Sequence, residues 1–92
     1  MPNISLRQRH NKNPDELREL IKQMAATLEE RYQLSSRWLN NDEVEVTRSG
    51  IKGRITLGAA EVKVDIKLGL MMAAFKSTIE SEISRSMAKK LA

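Results

Sequence analysis

The sequence predicts an α+β protein in which a five-stranded antiparallel sheet carries two long helices on one of its faces. Apolar side chains recur at every third or fourth position in residues 14–33 and 70–91, which is the period of amphipathic helices. Residues 43–68 instead alternate apolar and polar side chains, as strands with one buried face do. A chain of 92 residues is long enough for one hydrophobic core, so we expect a single domain over residues 1–92.

The first strand and the first helix are joined by a short turn. Residues 3–10 alternate apolar and polar side chains, which predicts a short strand. Asn13 suits the N-cap of a helix, and Pro14 suits its first position because no amide hydrogen is needed there. The helix is predicted over residues 14–33, with an apolar stripe made of Leu17, Leu20, Ile21, Met24, Leu28 and Tyr32.

The middle of the chain predicts four further strands, at residues 35–40, 43–48, 51–57 and 60–68. Residues 49–50 and 58–59 each suit a two-residue hairpin turn. The first turn pairs Val46 with Gly53, and the second pairs Gly53 with Val64. In both hairpins the aliphatic side chains then share one face, and nearly every charge lies on the other.

The same registers predict which charges oppose each other on the polar face. Lys52 lies opposite Asp65, and Arg54 lies opposite Lys63. The first strand can close the sheet beside the last one, which gives the spatial order 2-3-4-5-1. Both helices must then cover the apolar face, because the chain has no other cover for it.

Trp38 is the residue that the register of the first hairpin decides. If the loop through residues 40–42 has three residues, the indole joins the apolar face. With a two-residue loop it lies outside, among the charges. We expect the inward placement, because burying an indole is more favourable than exposing it.

The last segment, residues 70–91, is predicted to be the second helix. Side chains four residues apart advance about 40° past a full turn, so the apolar stripe rotates along the helix. We therefore expect Phe75 and Ile79 in the core, and Met87 and Leu91 at a border of the core or at the surface. Gly53 on the inner face would leave a groove for a helix side chain such as Phe75. The stripe consists of Phe75, Ile79, Ile83, Met87 and Leu91.

This predicted exposure makes the end of the helix a candidate contact with a partner. Lys89 and Lys90 lie beside Met87 and Leu91, and an anionic interface favours basic side chains of this kind. The two lysines also suit the negative end of the helix dipole, and a frayed tail is the alternative interpretation.

A second candidate site is an apolar pocket between the helices and the sheet. Methionine side chains adapt to irregular ligands, so Met24, Met71, Met72 and Phe75 are candidates for holding an acyl chain. The alternative is that these side chains simply fill the core of a small domain.

The composition excludes several classes of function. The chain has no cysteine, which rules out disulfides, and a single histidine, which rules out most histidine-based metal sites. The motifs G-x-S-x-G and H-E-x-x-H do not occur, so we expect no catalytic residue, no metal and no cofactor. His10 is the first suspect for acid–base chemistry, but a capping histidine at the edge of the sheet is the simpler interpretation.

The charges are interleaved rather than segregated. There are 16 basic and 12 acidic residues, and one residue each of Trp, Tyr and Phe, which is too few to build a stacking platform for single strands. We therefore rank nucleic-acid binding last; its candidate residues are Arg7, Arg9, Lys52, Arg54 and Lys63. No stretch is apolar enough to span a bilayer, and residues 1–10 contain no apolar region of the kind that a secretory signal has.

Several stretches, in order along nearly the whole chain, resemble the bacterial family of polyhydroxyalkanoic acid system proteins. They are Ile4-Ser5-Leu6 followed by His10, Trp38 followed by Asn41-Asp42, RSGIKGRI at 48–55, and VDIKLGL at 64–70 leading to IESEI at 79–83. The family is named for bacteria that store polyester, and it brings no catalytic residues. The outline is also similar in topology to a shortened helix-grip (START-like) arrangement, which implies no ligand.

The resemblance implies a small, non-enzymatic, cytoplasmic protein of the polyhydroxyalkanoate system, either an interaction protein or an accessory protein associated with the storage granule. Its expected partner is the polyester granule surface or a protein there, with a homo-oligomer as a further possibility. A small lipid- or acyl-binding carrier that uses the methionine pocket is the alternative.

Overall fold

An antiparallel sheet with helices on one face is the architecture of the computed structural model, which describes residues 3–91. The strand order is β1-β5-β4-β3-β2, so the predicted fold class and the predicted order are confirmed. Residues 1, 2 and 92 of the predicted domain lie outside the described residues. The elements are β1 (Asn3–Arg9), α1 (Pro14–Tyr32), β2 (Ser35–Asn40), β3 (Glu43–Arg48), β4 (Ile51–Leu57), β5 (Glu61–Leu68), a 3-10 segment (Leu70–Phe75) and α2 (Lys76–Leu91).

Helix α1 is capped at both ends by residues whose conformation and side chains favour a helix terminus. The side chain of Asn13 accepts a hydrogen bond of 2.8 Å from the backbone amide of Glu16, and Pro14 follows as the first helical residue. The helix ends at Tyr32, and the next residue, Gln33, caps it in a left-handed conformation with φ 59° and donates its amide to the carbonyl of Glu29. Its buried face consists of Leu17, Ile21, Met24, Ala25 and Leu28.

The β3–β4 hairpin has the predicted register. Val46 pairs with Gly53, and Arg48 pairs with Ile51 across the two-residue turn. Gly50 has a φ angle of +84°, which a residue without a side chain adopts at no steric cost.

The β4–β5 hairpin corrects the prediction by two residues. Its loop has four residues rather than two, because the amide of Gly58 donates to the carbonyl of Glu61 and Leu57 pairs with Val62. Gly53 therefore pairs with Ile66 rather than with Val64. A shift of two residues keeps every side chain on its predicted face, so the core is unaffected.

This shift changes the polar face of the sheet. Arg54 lies opposite Asp65 rather than Lys63, which removes a predicted repulsion. Lys52 lies opposite Lys67 rather than Asp65, which creates a new one.

Trp38 lies on the inner face, as predicted, but the loop is not the expected one. It pairs with Val44, while Asn40 pairs with Glu43, so Leu39 is an extra residue in β2. A bulge thus gives the parity that a three-residue loop was expected to give. The indole is half-buried and packs against the core.

The last segment differs most from its prediction. Phe75 is 49 % exposed and lies outside the core, so its predicted burial is wrong. A 3-10 helix has about 3.0 residues per turn, so its side chains do not continue the stripe of the α-helix that follows. The space above Gly53 is filled instead by its strand neighbours, because a Cβ there would lie 2.7 Å from Ile66 Cγ1 and 3.0 Å from Val46 Cγ2.

The end of α2 is buried, which overturns the prediction that it emerges at the surface. Met87 and Leu91 are each 2 % exposed. Helix α2 lies along β1, and its end runs beside α1, where Lys90 Nζ is 3.5 Å from Gln23 Oε1. The apolar stripe of α2 therefore turns away from the sheet toward the end of the helix, where α1 covers it.

Candidate functional site

The 3-10 segment displays an unusual concentration of exposed apolar side chains. Leu70 is 85 % exposed and Met71 is 93 % exposed, and the half-exposed Phe75 ends the segment. Across residues 3–91 the only other large hydrophobic side chain classed as exposed is Leu39. Single exposed apolar residues are ordinary, but a cluster indicates a contact surface.

Backbone contacts with the β3–β4 turn hold this segment in place. The amide of Gly69 donates to the carbonyl of Gly50 at 2.7 Å, and the amide of Met72 donates to the carbonyl of Gly69 at 3.0 Å. Met72 packs over Gly50, where an added Cβ would lie 2.9 Å from Met72 Cγ. Because Met72 takes the inward position, its neighbours Leu70 and Met71 are left in solvent.

Basic side chains surround the same end of the sheet. A shallow depression of about 510 Å³ there is lined by Arg48, Lys52 and Lys67, together with backbone at Gly50 and Gly69. Its one carboxylate comes from Glu45, whose Oε1 is 4.0 Å from Arg37 Nη2. The site thus combines an apolar projection with a cationic hollow beside it.

His10 has a structural role at the opposite end of the sheet. The amide of Lys12 donates to Nδ1 at 3.1 Å, so Nδ1 is unprotonated and Nε2–H donates to the carbonyl of Gly58 at 2.8 Å. A depression of about 320 Å³ adjoins it. Both ring nitrogens are engaged with backbone, so the ring ties the β4–β5 loop to the turn before α1.

Replacing this histidine tests the structural role. His10→Ala removes two hydrogen bonds to half-buried backbone groups and is expected to lower the free energy of unfolding by about 2 kcal/mol. Arg9→Ala, on the exposed face of the same strand, is expected to change it by less than about 0.5 kcal/mol. Urea unfolding followed by circular dichroism measures both values. Equal stabilities of the two variants would show that the histidine bridge contributes nothing.

The outer face of the sheet carries the basic residues considered for nucleic acid, interleaved with carboxylates. Arg54 Nη1 lies 3.3 Å from Glu43 Oε2, and Arg7 Nη1 lies 3.9 Å from Glu61 Oε1. A shallow depression of about 480 Å³ on this face is lined by charges of both signs. Apart from Lys52 and Lys67 near the 3-10 segment, which have no ion pair among the described residues, the arrangement is that of a neutralised, solvated surface.

The two sites expected from the sequence are not assembled. Of the predicted partner contact, Met87 and Leu91 lie in the core, while Lys89 is exposed and Lys90 is half-buried against α1. Side chains that are 2 % exposed offer no area to a partner unless the helix moves.

The predicted methionine pocket is divided between the core and the solvent. Met24 is 2 % exposed, Met72 is half-buried, and Met71 and Phe75 face solvent. None of the three depressions described above is lined by any of these four side chains.

Neither a metal-binding cluster nor a membrane-spanning helix occurs within residues 3–91. That part of the chain holds no group of three or more His, Cys, Asp or Glu residues placed to bind a metal ion. None of its helices combines the length and the apolar character needed to cross a membrane.

The fold and this site define a small α+β protein with a one-sided helical layer and an exposed apolar segment beside a cationic depression. Residues 4–91 match the model of the family described as "Putative polyhydroxyalkanoic acid system protein". The chain therefore belongs to the polyhydroxyalkanoic acid system protein family, which confirms the resemblance seen in the sequence. Neither the curated proteins nor the solved structures include a match to the chain.

Sequence reasoning missed the exposed segment although a signal for it was present. Residues 68–75 form an uncharged run of apolar and small side chains. The four-residue spacing that begins at Phe75 instead predicted one helix over residues 70–91, with Phe75 packed in the core. The hydrogen bond from Gly69 to Gly50 that fixes the start of the segment joins the end of β5 to the β3–β4 turn, and no local pattern reveals it.

Proposed function

We propose that this protein is a non-enzymatic accessory protein of the polyhydroxyalkanoate system that works in the cytoplasm by attaching to storage granules. The family supplies the association with the system, and the surface supplies the means of attachment. The observation that carries the proposal is the exposure of Leu70 and Met71, two adjacent apolar side chains that the fold leaves in solvent.

A non-enzymatic role is supported by what the titratable side chains do. Both nitrogens of His10 are committed to backbone hydrogen bonds. The carboxylates of Glu43, Glu61 and Glu82 lie beside arginines on the surface. Such pairs are ordinary surface interactions, and none of these groups converges on a common cavity.

Attachment through the 3-10 segment has a physical advantage over attachment through the helices. Leu70 and Met71 contribute little to the core, so a partner can bury them without unfolding any element. The alternative of an acyl-binding carrier lacks such support, because the side chains of the predicted methionine pocket do not line a common cavity.

The proposal is tested by localisation of a fluorescent fusion in bacteria that accumulate polyester. The native protein is expected at granules, and Leu70→Ser with Met71→Ser is expected to become diffuse, with at least a tenfold loss of granule-bound protein. Leu39→Ser removes an exposed leucine elsewhere and should localise normally.

Two results would overturn this proposal. A native fusion that stays diffuse while granules are present would remove granule attachment. A double variant that binds granules like the native protein would show that the 3-10 segment is not the contact.

A further inference from the structure

We propose that the occupant of this site is an anionic phospholipid surface, which the protein meets with the 3-10 end of its sheet. Leu70 and Met71 enter the boundary between headgroups and acyl chains, while Lys52 and Lys67 contact the phosphates. The inference rests on the contact segment of the proposed function and names the chemistry that the segment recognises.

The register brings the apolar and the cationic parts together. Lys52 pairs with Lys67, and Ile51 pairs with Leu68, directly before the hydrogen bond between Gly69 and Gly50. Leu70 follows at once. The two lysines therefore lie at the end of the sheet where the 3-10 segment begins, and the combination of basic and exposed apolar side chains is typical of surfaces that bind membranes.

The local charge is predominantly basic, and the one carboxylate that lines the depression, that of Glu45, lies 4.0 Å from Arg37. Residues 46–53 and 66–79, which form this end, contain four basic residues and no acidic one. They are Arg48, Lys52, Lys67 and Lys76. Arg48 donates to the carbonyl of Tyr32 at 2.9 Å, and Lys76 lies 3.8 Å from Glu80. Lys52 and Lys67 have no carboxylate within 4.0 Å among the described residues, so their charges are open to an external anion.

The charge pattern distinguishes this occupant from a second copy of the chain. In a two-fold dimer the same patch faces itself, so Lys52 and Lys67 would meet the same cations in the partner. An uncharged polyester surface would accommodate Leu70 and Met71 but would gain nothing from the lysines. An anionic lipid surface satisfies both parts.

The opposition of Lys52 and Lys67 disfavours folding and is explained by this role. Like charges directly across an antiparallel pair destabilise a sheet. Arg7 also lies opposite Lys63 on this face, but Arg7 Nη1 has the carboxylate of Glu61 at 3.9 Å, whereas neither Lys52 nor Lys67 has such a partner among the described residues. An unfavourable local pairing that a fold keeps without a compensating contact is expected at a functional site. Lys67→Glu would turn the repulsion into an ion pair, so it separates the requirements of folding from those of binding.

Co-sedimentation of the full chain with lipid vesicles tests the proposal. We expect binding to vesicles of equal parts phosphatidylcholine and phosphatidylglycerol, little binding to phosphatidylcholine alone, and a loss of binding as salt is added. Lys52→Gln with Lys67→Gln is expected to weaken binding by about 25-fold, since each basic residue near an anionic surface contributes about fivefold. Leu70→Ser with Met71→Ser is expected to weaken it at least tenfold.

Two further variants control for net charge and for folding. Arg9→Gln with Lys63→Gln removes the same charge from the far end of the same face, so it should bind within about threefold of the native protein. Lys67→Glu should raise the urea midpoint of unfolding and still weaken binding at least fivefold, which loss of structure cannot explain.

The outcomes separate this inference from the proposed function. Equal binding to both kinds of vesicle, or equal losses in the Lys52/Lys67 and Arg9/Lys63 pairs, would overturn the lipid site. Granule localisation that depends on Leu70 and Met71 without any vesicle binding would keep the proposed function and reject this inference. Vesicle binding with the expected charge dependence, together with a fusion that stays diffuse in cells, would support the lipid site and reject granule attachment.

Discussion

Val64→Asp is expected to leave the protein largely unfolded at room temperature. Val64 is fully buried on the inner face of β5, between Leu6 of β1 and Ile55 of β4, beneath the helical layer. A carboxylate there has no partner and costs several kcal/mol, about as much as the whole stability of a small domain. Circular dichroism and urea unfolding measure the loss.

A matched substitution one residue away separates position from chemistry. Lys63 is exposed on the outer face, opposite Arg7, so Lys63→Asp should keep the native spectrum and change stability by less than about 0.5 kcal/mol. If Val64→Asp folded with the native urea midpoint, the assignment of β5 to the inner face would be wrong.

The comparison of the two tight hairpins shows which parts of the register a sequence can determine. At the β3–β4 turn, Gly50 has the positive φ angle that a two-residue turn favours, and the predicted pairing is confirmed. At the β4–β5 loop, the hydrogen bond from Gly58 to Glu61 adds two residues. Hydrophobic alternation cannot detect an even shift, because it leaves every side chain on the same face.

Charge pairing does not distinguish the two registers. The predicted one places Lys52 opposite Asp65 but Arg54 opposite Lys63, so each register contains one opposite-charge pair and one like-charge pair. The observed register places Arg54 opposite Asp65 instead and leaves the lysine pair at the 3-10 end. The pairing of Lys52 with Lys67, which the sequence did not predict, is thus also the pair that we assign to lipid binding.

The candidate site could not be found by periodicity alone, because it depends on how the two ends of the second helical region are covered. Four-residue spacing identified α2 correctly but assigned exposure to the wrong end. Met87 is covered because α1 runs alongside α2, where the ion pair of Arg31 and Glu82 at 2.6 Å marks their contact. Phe75 is uncovered because the 3-10 segment breaks the helical phase before α2 begins.

The double substitution Met87→Ser with Leu91→Ser is expected to destabilise the protein strongly. Both side chains are 2 % exposed, and each truncation leaves a cavity lined by other core residues and places a hydroxyl there. Removing large apolar side chains from a core costs about 2 to 5 kcal/mol each, so the pair should lower the free energy of unfolding by about 4 kcal/mol or more. Urea unfolding and limited proteolysis of the helix end measure the effect.

Leu70→Ser with Met71→Ser is the matched control, because it makes the same chemical change to the same two residue types outside the core. Those side chains are 85 % and 93 % exposed, so their loss should change the free energy of unfolding by less than about 0.5 kcal/mol. The two double variants should thus separate stability from attachment. The Met87/Leu91 variant is expected to unfold, whereas the Leu70/Met71 variant is expected to stay folded and no longer bind granules. Native stability in the α2 variant would mean that the end of α2 does not pack in solution, and the predicted exposed tail would then be correct after all.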